Sequence, residues 1–371
     1  MRKFLVATII EILISLQTVD AKERARDLGI PFEGTPGARN AIVDVPGVEV
    51  GHSTIIRKPS VRTGVTAIFP QGKRAGMVPG SWFAFNGNGE MTGTAWIDES
   101  GFLEGPVMTT NTYAIGVVHD AVRKWAQKKF PNNDPDADDA IMLPVVAETW
   151  DGLLNDINGF HVSEADAVSA LESASTTNTD EGSVGGGTGM VCFQYKCGIG
   201  TSSRRIVHDN KEFVVGVLVQ ANFGSRAELK LGGKLLGPML ADDHLPDVKK
   251  PETKDGSIVA VLATNVPLLP HQLKRVAKRM VLGTGLTGAI GHNSSGDLFV
   301  AFSTVRPKKS KNGEVWLTLS NDSLDEVFRA AVQATEESIA NALVAGETMV
   351  GVGGQRVYGI SHERLKSIFK K

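Results

Sequence analysis

The 371-residue chain balances 39 Lys and Arg against 41 Asp and Glu, for a formal net charge of -2, with 42% hydrophobic and 22% charged residues. That balance excludes the basic field of a nucleic-acid binder and fits a globular chain that can bury a sizeable core without disulfides. Its 41 glycines are clustered rather than periodic, which points to tight turns and close backbone contacts.

Arg2 and Lys3 precede an apolar run from Phe4 to Leu16, broken by Glu11 and Ser15. Val19-Asp20-Ala21 then resembles a small-residue cleavage site. Residues 1–21 are therefore expected to be a signal peptide, placing the protein in the periplasm or outside the cell. The alternative is an amphipathic N-terminal helix retained in the cytoplasm. Residues 22–40 turn from charged to Gly/Pro-rich and read as an arm or long loop.

Short strands are expected at Ala41 to Val45, Val48 to Ile56, Gly64 to Phe69 and Ala75 to Val78. Phe83 to Gly93 reads as a glycine-punctuated polar loop, and Thr109 to Thr112 as a turn. Ala114 to Phe130 has helical spacing (Val117, Val118, Val122, Trp125), closed by Pro131 and Asn132 to Pro135. Val145 to Leu154 is mixed. Ser163 followed by Asp166 predicts a helix start with a partial capping box. Met190 to Tyr195 and Glu212 to Ala221 read as strands. Cys192 and Cys197, the only cysteines, lack zinc or redox spacing and are expected to be two free thiols.

From Asp242 to Asp255 the chain is polar and lysine-rich, the best linker in the sequence and an exposed cleavage site. It runs straight into the apolar strand Ser257-Ile258-Val259-Ala260-Val261-Leu262-Ala263-Thr264. A helix over Leu269 to Leu282, a Gly-rich loop over Gly283 to Gly296, a strand over Asp297 to Ser303 and a long helix over Asp322 to Ala345 complete the pattern. Strands and helices in blocks favour α+β layers over a doubly wound sheet.

Two glycine runs invite a nucleotide. Gly283-Thr284-Gly285-Leu286-Thr287-Gly288 follows a helix rather than a strand, the wrong context for a dinucleotide fingerprint. Gly185-Gly186-Gly187-Thr188-Gly189 leads into a strand rather than opening a helix. The eight histidines form no zinc motif, and no G-x-S-x-G elbow is present. The Gly256-Ser257 junction offers more. If the chain is cut there, Ser257 carries a hydroxyl nucleophile and a free α-amine base on one residue. An α-amine ordinarily titrates at about 7.7–8.0, which suits it to work near neutrality.

The runs Asp255-Gly256-Ser257-Ile258-Val259, Pro267 to Leu273 and Asn293-Ser294-Ser295-Gly296-Asp297 resemble the L-aminopeptidase/D-esterase and β-peptidyl aminopeptidase family of self-processing N-terminal serine hydrolases. Gly87 to Gly93, Glu148 to Gly152, Gly187 to Met190 and Gly216 to Gly224 agree with it, so the likeness spans most of residues 30 to 305. The resemblance implies a four-layer αββα sandwich, one domain cut into associated chains of residues 22–256 and 257–371. It also implies Ser257 as nucleophile, Ser295 and Asp297 supporting it, and Asn222 as oxyanion donor. Glu148 would hold a substrate ammonium, with Trp150 beside it. Other members carry Glu at the position of Asp297. Some carry Tyr at that of Trp150, whose indole offers an N–H only.

The implied activity is hydrolysis of N-terminal residues from small peptides, amides or esters, with no metal or organic cofactor, in a homo-oligomer. The alternatives are an aminoacyl transferase of the same fold and a nucleotide-binding protein using the glycine loops.

Overall fold

The computed structural model describes residues 22–73, 76–130, 141, 143–248, 256–311 and 313–370. The expected signal peptide, the helix-closing run at 131–135 and the end of the linker at 249–255 lie outside them.

Two sheets carry the structure. The smaller contains β1 (Glu49–Arg57), β2 (Val61–Phe69), β5 (Val107–Asn111) and β6 (Val145–Thr149), side by side in that order. The larger begins at one edge with β4 (Phe102–Glu104) and β3 (Met77–Gly87). It continues through β14 (Gly296–Ser303), β13 (Ser257–Thr264), β10 (Lys211–Asn222) and β9 (Ile199–His208). A two-stranded hairpin of β7 (Val191–Cys192) and β8 (Tyr195–Lys196) and another of β11 (Lys230–Leu231) and β12 (Lys234–Leu235) stand apart.

Side-chain alternation stacks the layers. In β13, Val259, Val261 and Ala263 pack on Val50, Ile68, Val107 and Val145 of the smaller sheet. Ile258, Ala260 and Leu262 point the other way, onto Leu273, Val276 and Met280 of helix α4 (Pro270–Leu286) and Ala331 of α5 (Asp325–Val344). A strand apolar on both faces suits only the middle of a covered sheet. On the far side, Val65, Ala67 and Met108 pack under α2 (Ile115–Lys129) and α3 (Glu164–Ser173). The result is the expected four-layer αββα sandwich.

Several local expectations change. Residues 41–45 form a 3₁₀ turn at Ile42–Asp44 rather than a strand, because the Asp44 carboxylate accepts the Arg39 and Ala41 N–H groups. The first half of the expected Phe83–Gly93 loop extends β3, and a helix that the sequence reading omitted, α1 (Thr94–Ser100), follows it. Thr109–Asn111 lies inside β5, fully covered, with the Thr110 hydroxyl donating to the Gly64 carbonyl at 2.9 Å. Helix α4 runs on through Gly283 and Gly285. A Cβ at Gly283 would stand 2.4 Å from the Val332 carbonyl, so glycine there lets α5 approach.

The cysteines are joined, not free. Cys192 and Cys197 form a disulfide with Cα atoms 5.5 Å apart. Between them Phe193 and Gln194 both take positive φ, so the expected strand is a tight hairpin turn. The capping prediction at Ser163 agrees: its N–H donates to Asp166 at 2.9 Å.

The arm over residues 22–40 is docked by buried charge. Arg26 reaches Glu337 at 2.7 and 2.8 Å, and Arg204 reaches it at 2.7 Å. Burial pushes the Glu337 carboxyl up, but the Arg26 hydrogen bond and the two guanidinium charges outweigh it and hold the group below the usual glutamate range. Glu337→Gln leaves two guanidinium groups short of their partner and is expected to cost about 3 kcal/mol, read as a lower melting temperature. Because the folded-state pKa is depressed, this stabilisation is present above the unfolded glutamate value and lost as pH falls through the folded one. The gap between wild type and variant therefore closes in acid; a gap independent of pH contradicts the assignment.

Candidate active site

Three neighbouring strands of the larger sheet deliver one row of residues. Ser257 opens β13, opposite Asn222 at the end of antiparallel β10 and Gly296 at the start of parallel β14. Ser257 is 6% exposed. It lies in a cleft of about 580 Å³ with Gly256, Asn222, Glu148 and Trp150. Glu148 comes from β6 of the other sheet, so the cleft opens where the two sheets meet.

A buried amide holds those sheets in register at this end. Gln220 of β10 donates to the Thr110 carbonyl at 2.9 Å and to the Thr149 hydroxyl at 2.7 Å. Glu148 accepts from the Glu90 N–H at 3.1 Å and, through its other oxygen, from the Thr112 hydroxyl. Burial raises its pKa, with those two hydrogen bonds opposing the shift. Among the described residues its hydrogen-bond partners are neutral donors, so no cation there competes for the carboxyl group.

The Asn222 side chain is fixed at both ends. Its Oδ1 accepts from the Val191 N–H and its Nδ2 donates to the Trp150 carbonyl, each at 2.9 Å. One amide hydrogen is left for the cleft. Trp150 thus contributes a backbone carbonyl, while its half-exposed ring packs over Gly152, where a Cβ would come within 2.4 Å of the indole. That contact uses the main chain, so it does not depend on which side chain stands at position 150.

Ser295 and Asp297 line a smaller cavity of about 120 Å³ that also touches Gly256. The Ser295 hydroxyl donates to Asp297 at 2.6 Å, and Asn86 Nδ2 donates to its other oxygen at 3.2 Å. Burial raises the Asp297 pKa against those two bonds. All seven residues singled out from the sequence therefore gather around one junction.

The sequence reading missed others. Asn86 lies in the run taken for a loop, where nothing marks it over Asn88. Lys196 is fully buried and donates to the carbonyls of Met190 (2.9 Å), Gly187 (3.4 Å) and Cys197. Burial pushes its pKa down to about 7. With the disulfide, it braces the loop whose Val191 N–H orients Asn222. Gly185, Gly186 and Gly187 form a buried 3₁₀ turn in that loop, and a Cβ at Gly186 would meet Gln220 Oε1 at 2.0 Å. Close packing, rather than a phosphate, accounts for these glycines. Among the described residues no group of three or more His, Cys, Asp or Glu is placed to hold a metal ion.

Comparison with known proteins agrees with this geometry. Residues 40–357 match peptidase family S58. The β-peptidyl aminopeptidase BapA of Sphingosinicella microcystinivorans is 48% identical, covering 94% of this chain and 92% of that protein. Its namesake from Sphingosinicella xenopeptidilytica is 43% identical over the same shares. The solved L-aminopeptidase D-Ala-esterase/amidase of Ochrobactrum anthropi, described as a variant of the Ntn hydrolase fold, superposes with a TM-score of 0.86. It is 42% identical, covering 94% of this chain and 98% of its own. The chain belongs to peptidase family S58 and is a hydrolase.

Proposed function

We propose that this protein is a self-processing serine aminopeptidase whose Gly256–Ser257 bond is cut to create its own nucleophile. The observation that carries this reading is the cleft that Ser257 and Glu148 line together, one on each sheet, with no cation paired to Glu148 among the described residues. Glu148 takes the substrate's free ammonium, which limits attack to N-terminal residues. The substrate carbonyl then lies beside Ser257.

The chemistry follows from one residue. The free α-amine of Ser257 accepts the hydroxyl proton as Oγ attacks, and Asn222 Nδ2 donates to the developing oxyanion. The amine returns the proton to the leaving nitrogen, and water hydrolyses the ester. Ser295 and Asp297 hold the new ammonium in place. No metal or organic cofactor takes part. The working molecule is two associated chains, one ending at Gly256 and one beginning at Ser257.

Substrates are small peptides, amides or esters with a free amine. The names of the relatives support β-amino acyl and D-alanyl ester substrates as the classes to assay first. The Cys192–Cys197 disulfide supports export to the periplasm or beyond, since such bonds persist in oxidising compartments.

Intact-mass measurement on purified protein tests self-processing. Wild type is expected as two chains, the smaller beginning at Ser257, and Ser257→Ala as one uncut, inactive chain. An uncut wild type that is fully active on peptide amides overturns the mechanism. Glu148→Gln is expected to raise KM for amine-bearing substrates by about tenfold or more, while affecting N-acylated esters little. The α-amine base already lowers kcat/KM as pH falls below its own range. Because burial raises the Glu148 pKa, wild type should show a second acid-side loss that begins above the ordinary glutamate value of about 4.3 and is missing in Glu148→Gln. Acid limbs of the same shape in wild type and Glu148→Gln contradict the role.

A further inference from the structure

The bond to be cut has a hydrogen-bond donor of its own. The Gly256 carbonyl oxygen accepts from the Gly296 N–H at 3.1 Å, in the first rung joining β13 to β14. No other donor to that oxygen occurs among the described residues. Asn222 sits on β10, the strand on the opposite flank of β13, with its amide directed to the Trp150 carbonyl. The scissile carbonyl therefore points toward one neighbour of its strand, and the cleft donor stands on the other.

The geometry points to two separate oxyanion sites: the Gly296 N–H serves self-cleavage at Gly256, and Asn222 Nδ2 serves turnover of bound substrate. This rests on the reading of Gly256–Ser257 as the cleavage site and Asn222 as the turnover donor. The Gly296 donor is set before reaction begins. A Cβ at Gly296 would meet the Asn88 carbonyl oxygen at 2.3 Å and Gly89 Cα at 3.0 Å, so only glycine admits the crossing chain. Asn88 in turn donates to the Ser294 carbonyl at 2.6 Å, tying that crossing to the start of β14. A donor held in this way needs no reorganisation when charge develops.

In self-cleavage the Ser257 Oγ forms a bond to the Gly256 carbonyl carbon, and negative charge collects on the oxygen facing Gly296. The bond from that carbon to the Ser257 nitrogen then breaks, and the hydroxyl proton ends on the nitrogen as the free amine. Water adds to the resulting ester, releasing Gly256 as a carboxylate and restoring the Ser257 hydroxyl. A substrate carbonyl arrives afterwards from the cleft side, where Asn222 is the side-chain donor.

Asn222→Ala separates the two sites. The variant is expected to cut itself at about the wild-type rate, followed by intact mass, while kcat falls about 10²–10³-fold. A variant that stays whole overturns the two-site division. A variant that is cut and turns over normally removes Asn222 from the reaction and overturns the underlying reading instead. Should Asn222→Ala fail to fold, a crystal structure of the uncut Ser257→Ala protein decides. Gly256 oxygen lying about 3 Å from the Gly296 nitrogen supports the division, and the same oxygen turned onto Asn222 Nδ2 overturns it.

Discussion

The pairing of β13 with β14 on one side and β10 on the other is the constraint on which everything else depends. It aligns Asn222, Ser257 and Gly296 across three adjacent strands, at the end where the chain enters the sheet. A one-residue slip would turn Ser257 to the opposite face and exchange the two apolar sets of β13 between layers. Burial on both faces forbids that slip. The same hydrophobic alternation that builds the sandwich thus also sets the position of Ser257, the proposed nucleophile.

The second sheet contributes charge. Glu148 is carried to the cleft by β6, and the buried Gln220 amide ties β6 and β5 to β10 a few residues away. The distance between Glu148 and Ser257 is consequently a property of sheet packing rather than of a loop. Behind β7, the buried Lys196 side chain and the disulfide hold the turn that orients Asn222. Supporting groups of this kind convert a set of residues into a preorganised one.

Legibility in the sequence follows the same division. The strand that Ser257 opens is plain because its eight covered residues include the apolar run from Ile258 to Ala263, and α3 is plain because Ser163 and Asp166 act locally. Strand β5 is hidden because Thr109, Thr110 and Asn111 are small and polar, and their burial becomes tolerable only when partners such as the Gly64 carbonyl arrive from another strand. Gly283 looks like the start of a loop, whereas its meaning lies in the approach of α5. Lys196 and the disulfide have no local signature at all. The candidate site residues are named through family resemblance alone; no spacing along the chain joins Glu148, Asn222 and Ser257, which meet only through the packing and register of the sheets.

The central claim is that the acyl group passes through the hydroxyl of the residue that begins β13. Rapid quenching with a slowly hydrolysed ester substrate, followed by peptide mapping by mass spectrometry, tests it most directly. The account predicts one acyl increment, on the peptide beginning at Ser257 and absent in Ser257→Ala. An increment on any other peptide, or turnover of that ester by Ser257→Ala, would contradict it.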